Sequence, residues 1–311
     1  MTSSNSEIEI NNISPNEIVG GVGKVLTIEG IGFNNIQGDS YISFKQESGE
    51  YMDEIESKKI KYIFWSNNSI KIEMPCAYSG EVKICVNGLE FFSEKKIYVK
   101  ANLGYTNLNP LQYCHLINQN GKGGYTWSIH TSLWNIPEAR IAIEEVIQEF
   151  REDTGVNFIL EENPTDAEID LNNNINLITL DPTLNCPGHF FNKYWDFPMD
   201  LYNFRYTQTM IIHFSDKEQW YFGKGKIPEG KSKFRYVLLH ELCHSVGLGH
   251  VNEEGQTMFH TVTMLPSNNW SYRDRITEEE KIAILHFINN SQNFTFSPNG
   301  ILPLKKIDEI V

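Results

Sequence analysis

No run of apolar residues in this chain is long enough to cross a bilayer as a helix, which excludes a helical membrane span within these residues. Basic residues are scarce as well. There are 26 Lys and Arg against 40 Asp and Glu, giving a formal net charge of −14 and a pI near 5.1. Such a balance lacks the basic footprint that a nucleic-acid binder needs. Cysteine is sparse and irregularly spaced: Cys76, Cys85, Cys114, Cys186 and Cys243 form no disulfide framework, although a single bridge such as Cys114 with Cys186 stays open. The opening "MTSSNSEIEI" has neither the basic region nor the apolar stretch of a secretory signal. Either the protein stays inside the cell or a leader lies outside these residues.

What is present describes a globular protein. At 311 residues, 40% hydrophobic and 21% charged, the chain can fold as two domains, each with its own core. Most of the negative charge reads as solvated surface. Residues 8–100 carry short β-rich runs, "KVLTIEGIGF", "YISFK", "SIKIEMP" and "EVKICVNG", separated by Gly, Asn, Ser and Pro. Ile70, Ile72 and Met74, then Val82, Ile84 and Val86, alternate as the inward face of half-buried strands does. No helical period appears here, and a small β-sandwich is predicted.

This region resembles the IPT/TIG family of immunoglobulin-like domains. The likeness lies in "ISPNEIVGGVGKVLTIEGIGF" at 13–33, "YIFWSNNSIKIEMP" at 62–75 and "SGEVKICVNG" at 79–88. They match the family's opening Ser-Pro, its G-x-G-F turn, its Trp-Ser segment before a strand and its closing strand. The resemblance implies a spacer or a binding and adhesion module, with a spacer the expected role, and it names no partner.

Residues 101–124 read as a linker ending in Gly-Lys-Gly-Gly, residues 125–296 as a second domain, and 297–311 as a C-terminal tail. In the second domain "YTWSIHTSL", "VNFIL", "INLITL" and "TMIIHF" are predicted strands. Residues 137–155 are a predicted helix, with Pro137 in its first turn, Gly155 at its end, and a stripe of Ile141, Ile143, Val146, Ile147 and Phe150. Further helices are expected at about 232–246 and 277–290, the latter opened by a Thr277–Glu280 capping box.

The chemistry concentrates in "HELCHSVGLGH", residues 240–250. His240 and His244 are one helical turn apart and leave the same face. A continuing helix would carry His250 roughly 15 Å along the axis from His240, at 1.5 Å per residue. Zinc–nitrogen bonds are about 2.0–2.1 Å, so one ion could not then reach all three imidazoles. The helix therefore has to stop, and Gly247 can do this at positive φ, turning the chain so that His250 returns. Three nitrogens and an open fourth position form the catalytic rather than the structural zinc arrangement.

The pattern H-E-x-x-H-x-x-G-x-x-H resembles the metzincin clan of zinc endopeptidases, and its matrixin-like members in particular. The resemblance implies an α+β zincin domain with a mixed twisted sheet and three helices, following the all-β sandwich. It implies one catalytic zinc on His240, His244 and His250, Glu241 as general base, and a protein or peptide substrate. Met258 or Met264 would form the methionine turn; Phe259 stands where the clan often has Tyr, and Cys243 where Gly or Ala is common. "TMIIHF" would be the edge strand that pairs an extended substrate, with His213 on it expected as a satisfied structural histidine. Calcium finds no motif: "DAEIDLNNNIN" at 166–176 has the oxygens without the Asp-x-Asp-x-Asp-Gly spacing and reads as a polar loop. Relatives with this domain pairing imply a secreted bacterial protein. The alternative reading is an IPT/TIG binding or adhesion protein with an inactive or occluded zinc-hydrolase domain.

Overall fold

The computed structural model describes residues 8–103, 124–171, 175–196, 205–260, 275–292, 294–296 and 303–306. Two compact units divide the chain. One comprises residues 1–110 with 249–260, the other 111–248 with 261–311.

The first unit is built on two sheets. β1 (Glu9–Ser14), β3 (Val25–Ile31), β6 (Ser69–Glu73) and β5 (Tyr62–Trp65) form one, in the order β1-β3-β6-β5. β4 (Tyr41–Lys45), β7 (Tyr78–Val86) and the long β8 (Leu89–Leu103) form an antiparallel second, with β2 (Glu17–Gly20) parallel to β8. Ile28, Ile42, Ile70, Ile72, Val82, Ile84 and Val99 are fully buried in the shared core. The alternation read from the sequence is the reason: these positions all point inward. Trp65 closes the G-x-G-F turn by donating from Nε1 to the Phe33 carbonyl at 2.9 Å. One helix was not expected here. α1 (Glu54–Lys58) is too short to show a period, and Asp53 caps it by accepting from the Glu56 amide.

The second unit carries a five-stranded sheet in the order β10-β9-β11-β13-β12. β9 (Thr126–Ile129), β10 (Ile159–Leu160), β11 (Asn176–Asp181) and β13 (Arg205–Ser215) run parallel, and β12 (Gly188–Asp196) is antiparallel to β13. The expectation that "TMIIHF" is the edge strand is therefore corrected. Those residues lie in β13, flanked by β11 and β12, and the edge strand on that side is β12, which sequence reasoning missed.

The single-turn α2 (Thr131–Trp134) precedes α3 (Pro137–Thr154), which ends at Gly155 with φ +75° and its amide on the Arg151 carbonyl. α3 buries Ala139, Ala142, Ile143, Val146, Ile147 and Phe150. Ile141, placed in the buried stripe from sequence, is instead 51% exposed, because the 3.6-residue period puts Ala139 and Ala142 on that face. The short strands β14 (Trp220–Tyr221) and β15 (Ser232–Lys233) lead into α4 (Phe234–Ser245), followed by the two-residue strand β16 (Leu248–Gly249) and by α5 (Glu278–Gln292). The capping box forms as predicted, with Thr277 N–H donating to Glu280 at 2.9 Å and Glu280 N–H to Thr277 Oγ1 at 3.2 Å. β17 (Phe294–Phe296) pairs with β18 (Pro303–Lys306), so part of the expected tail is strand. The linker's residues 104–123 lie outside the described residues, while 101–103 end β8.

Phe158 joins α3 to the sheet. Its ring stacks on Phe150 at 4.9 Å and meets Trp127 edge-on at 6.0 Å, and all three are completely buried. Replacing Phe158 with Ala should lower unfolding free energy by about 3–5 kcal/mol. Urea denaturation measures this, and a change under about 1 kcal/mol would contradict the packing described.

Candidate metal centre

α4 is unusual in being buried along its whole length, Phe234 through Ser245. A helix enclosed on every side belongs to a core, and this one takes His240, Glu241 and His244 into it. Its entry is tied down by charge. Arg235, 2% exposed, donates to Glu145 at 2.6 Å and Glu149 at 2.9 Å, both on α3. Its middle is tied down by packing against β12. A Cβ on Gly188 would lie 2.3 Å from Val237 Cγ1, so the strand can approach the helix this closely only with glycine there.

The helix closes with two tightened bonds, Val246 N–H to the Cys243 carbonyl at 3.2 Å and Gly247 N–H to the His244 carbonyl at 3.0 Å. Gly247 then takes φ +83°, the left-handed conformation that the sequence argument required. A side chain there would also collide with Phe287, 2.8 Å from the position of a Cβ.

The turn brings the three imidazoles together. One ring nitrogen from each of His240, His244 and His250 lies within 4.8 Å of the others. A tetrahedral zinc with bonds of about 2.0–2.1 Å spaces its nitrogens about 3.3 Å apart, a contraction small enough for side-chain rotation. The His240 and His244 rings sit 4.7 Å apart and perpendicular. His244 Nδ1 faces the Leu248 carbonyl at 2.8 Å, so the proton resides on Nδ1 and the Nε2 lone pair is left for a metal. His240 and His244 are buried, while the His250 side chain is 28% exposed. Three neutral nitrogen donors, one fixed in tautomer, suit zinc.

Glu241 is buried, with the Phe190 amide of β12 donating to its carboxylate. Burial pushes its pKa up to about 8, and the Phe190 bond partly opposes that shift. A dication alongside acts in the same direction as that bond. Cys186, two residues before the glycine that admits α4, has its thiol pKa raised by burial and by the Glu241 charge. Neither Gly188, the Phe190 amide nor Cys186 was legible as part of this site. The first two act through backbone, and a lone cysteine carries no spacing signal.

Met258 is fully buried in the turn that follows, where its carbonyl accepts from Val251 N–H at 2.8 Å. Met264 lies outside the described residues. His213 is buried, and its Nδ1 meets Asp181 at 2.8 Å, the satisfied histidine that was expected. Burial holds its pKa below the usual value despite that carboxylate. Cys76, Cys85, Cys186 and Cys243 are free thiols; Cys243 is completely buried, and that burial raises its pKa well above the usual value. Cys114, the other half of the candidate bridge, lies outside the described residues.

Residues 121–282, just over half of the chain, match the family described as Matrixin. Residues 9–93 match the IPT/TIG domain. No curated protein matches the chain. Among solved structures, a structural genomics protein of unknown function from Bacteroides thetaiotaomicron is similar at 15% identity and a TM-score of 0.27, over 32% of this chain and 23% of that one. A structure of the CD domains of another protein is similar at 19% identity and a TM-score of 0.22, over 30% of this chain and 32% of that one. The chain thus spans a third or less of the length of these structures.

The purified chain should take up one zinc per molecule and release it to a chelator. His250→Ala should retain the fold and weaken zinc binding by at least about a hundredfold, since two imidazoles alone leave a catalytic site short of a ligand. Metal analysis after dialysis decides the matter, and full occupancy in the variant would contradict the triad.

Proposed function

The chain belongs to the matrixin family, and from that membership and its imidazole cluster we propose that it is a zinc-dependent endopeptidase with Glu241 as the general base. The observation that carries this reading is the convergence of His240, His244 and His250 beside a buried carboxylate on the same helix. A zinc ion held by the three imidazoles supplies a Lewis acid that acidifies a water molecule and polarises a carbonyl.

The protein's own residues supply the proton transfer and the orientation. Glu241 takes the proton from the attacking water and passes it to the departing amine. Its carboxylate is kept in place by the Phe190 amide and by the enclosure of α4, so the base does not have to be ordered when substrate arrives. Met258 sits in the closed turn after the third ligand and is the methionine-turn residue of this reading.

An extended substrate needs an edge strand to pair with, and of this sheet's two edges the nine-residue β12, rather than the two-residue β10, is long enough to serve. Among the described residues β13 alone pairs with it, and the other side is the one this reading assigns to β-addition of a peptide. Because β12 also supplies the amide that holds Glu241, a peptide added there would be registered against the base through one piece of backbone.

Glu241→Gln keeps the size of the side chain and removes the base. It should bind zinc as the wild type does and cleave casein or a quenched peptide about 10²–10⁴-fold more slowly. A variant cleaving at the wild-type rate would remove Glu241 from the mechanism. Wild-type protein that is fully loaded with zinc and cleaves nothing in a broad peptide library would overturn the endopeptidase reading in favour of a binding protein.

A further inference from the structure

We infer that Glu47, on a hairpin of the N-terminal sandwich, is a positioning residue for His250, the third imidazole of the proposed zinc site and a member of the same compact unit. This rests on the zinc reading above and adds to it a residue outside the motif and outside the matrixin match. Every contact that supports it lies within the first compact unit, which holds residues 249–260 as well as the sandwich.

Glu47 sits in the turn after β4, where Gln46 N–H donates to the Glu50 carbonyl at 2.8 Å and Gly49 N–H to the Gln46 carbonyl at 2.9 Å. Its Oε1 lies 3.0 Å from His250 Nδ1. The Tyr78 hydroxyl donates to the same carboxylate, so Glu47 is held from a second direction. With Nδ1–H donating to Glu47, it is the Nε2 lone pair of His250 that would face the ion. This is the tautomer that the Leu248 carbonyl enforces on His244. A carboxylate behind a ligating imidazole fixes the ring's orientation and strengthens it as a donor.

The backbone of the same segment is held as firmly. Asn102 Nδ2 donates to the His250 carbonyl at 3.0 Å. Asn252 makes a reciprocal pair with the backbone of Ser79, accepting from its N–H at 2.8 Å and donating to its carbonyl at 3.0 Å. Lys100 reaches Glu253 at 3.6 Å. The third ligand is thus fixed by its carbonyl, by the residue two positions on, and by its own ring. A module that served only as a spacer would need none of these bonds.

Glu47 is 62% exposed at its side chain, so its effect is directional rather than one of net charge. The test follows from that distinction. Full-length wild type, Glu47→Ala, Glu47→Gln and the control Glu90→Ala, which loses an ion pair with Lys83, are titrated with zinc against a chromophoric chelator. Glu47→Ala should bind zinc about 10–100-fold more weakly. Glu47→Gln still offers an acceptor oxygen and should keep most of the affinity, and Glu90→Ala should match wild type. Denaturation of the chelator-treated proteins should show no difference between Glu47→Ala and wild type. Equal zinc affinity in Glu47→Ala and wild type would overturn the inference and leave the triad standing. A loss of stability in metal-free Glu47→Ala large enough to account for the weaker binding would overturn it also. Wild type that takes up no zinc would overturn the triad itself, and this inference with it.

Discussion

The reversal of the chain at Gly247 is the constraint on which the site depends. Two histidines four residues apart meet on any helix, and that alone would leave a two-ligand, weakly held ion. The third arrives only because α4 ends after Ser245 and Gly247, two residues on, takes φ +83°. Any other residue there pays twice, in backbone strain and in a clash with Phe287. The metal centre is therefore set by where a helix stops as much as by which residues it carries.

A buried helix makes that stop matter. Because α4 is enclosed along its length, neither its axis nor its rotation can drift to accommodate a poorly placed ligand. Arg235 and the two α3 glutamates fix one end, and the Gly188–Val237 approach fixes the middle. The same close approach lets the Phe190 amide reach Glu241. Strand, helix and the buried Glu241 carboxylate are thus positioned by one packing contact, and a carboxylate held by a sheet edge has little freedom left to lose.

Much of this was legible in the sequence, and the boundary is physical. Local chemistry could be read: the capping box at Thr277 and Glu280, the αL glycines at 155 and 247, and the inward alternation of the sandwich strands all depend on neighbours within a few residues. Relations across the sheet could not. The strand order that puts β12 at the edge, and β13 inside, is a property of pairing between segments far apart. "GHFFNKYWD" carries no clean alternation to announce a strand either. Ile141 was misplaced because a stripe of large side chains was favoured over the two alanines that face the core. Gly188 and the Phe190 amide escaped because a missing side chain and a backbone N–H leave no signature.

The three ligands also differ in how they reach their positions. His240 and His244 are brought together by helix formation, a local event. His250 is held by Glu47 and Asn102, and Asn252 by Ser79, across separations of 203, 148 and 173 residues. Such contacts form only after long loops have closed, and closure carries an entropic cost that local structure does not. On the proposed zinc reading, an ion would favour the state in which His250 is already placed, so ion and sandwich contacts would stabilise the same state. Linkage makes that coupling reciprocal: whatever firms the 249–260 segment strengthens the hold on the ion, and the ion firms the segment. The motif's contiguity in sequence conceals this, because its last member depends for its placement on residues far upstream.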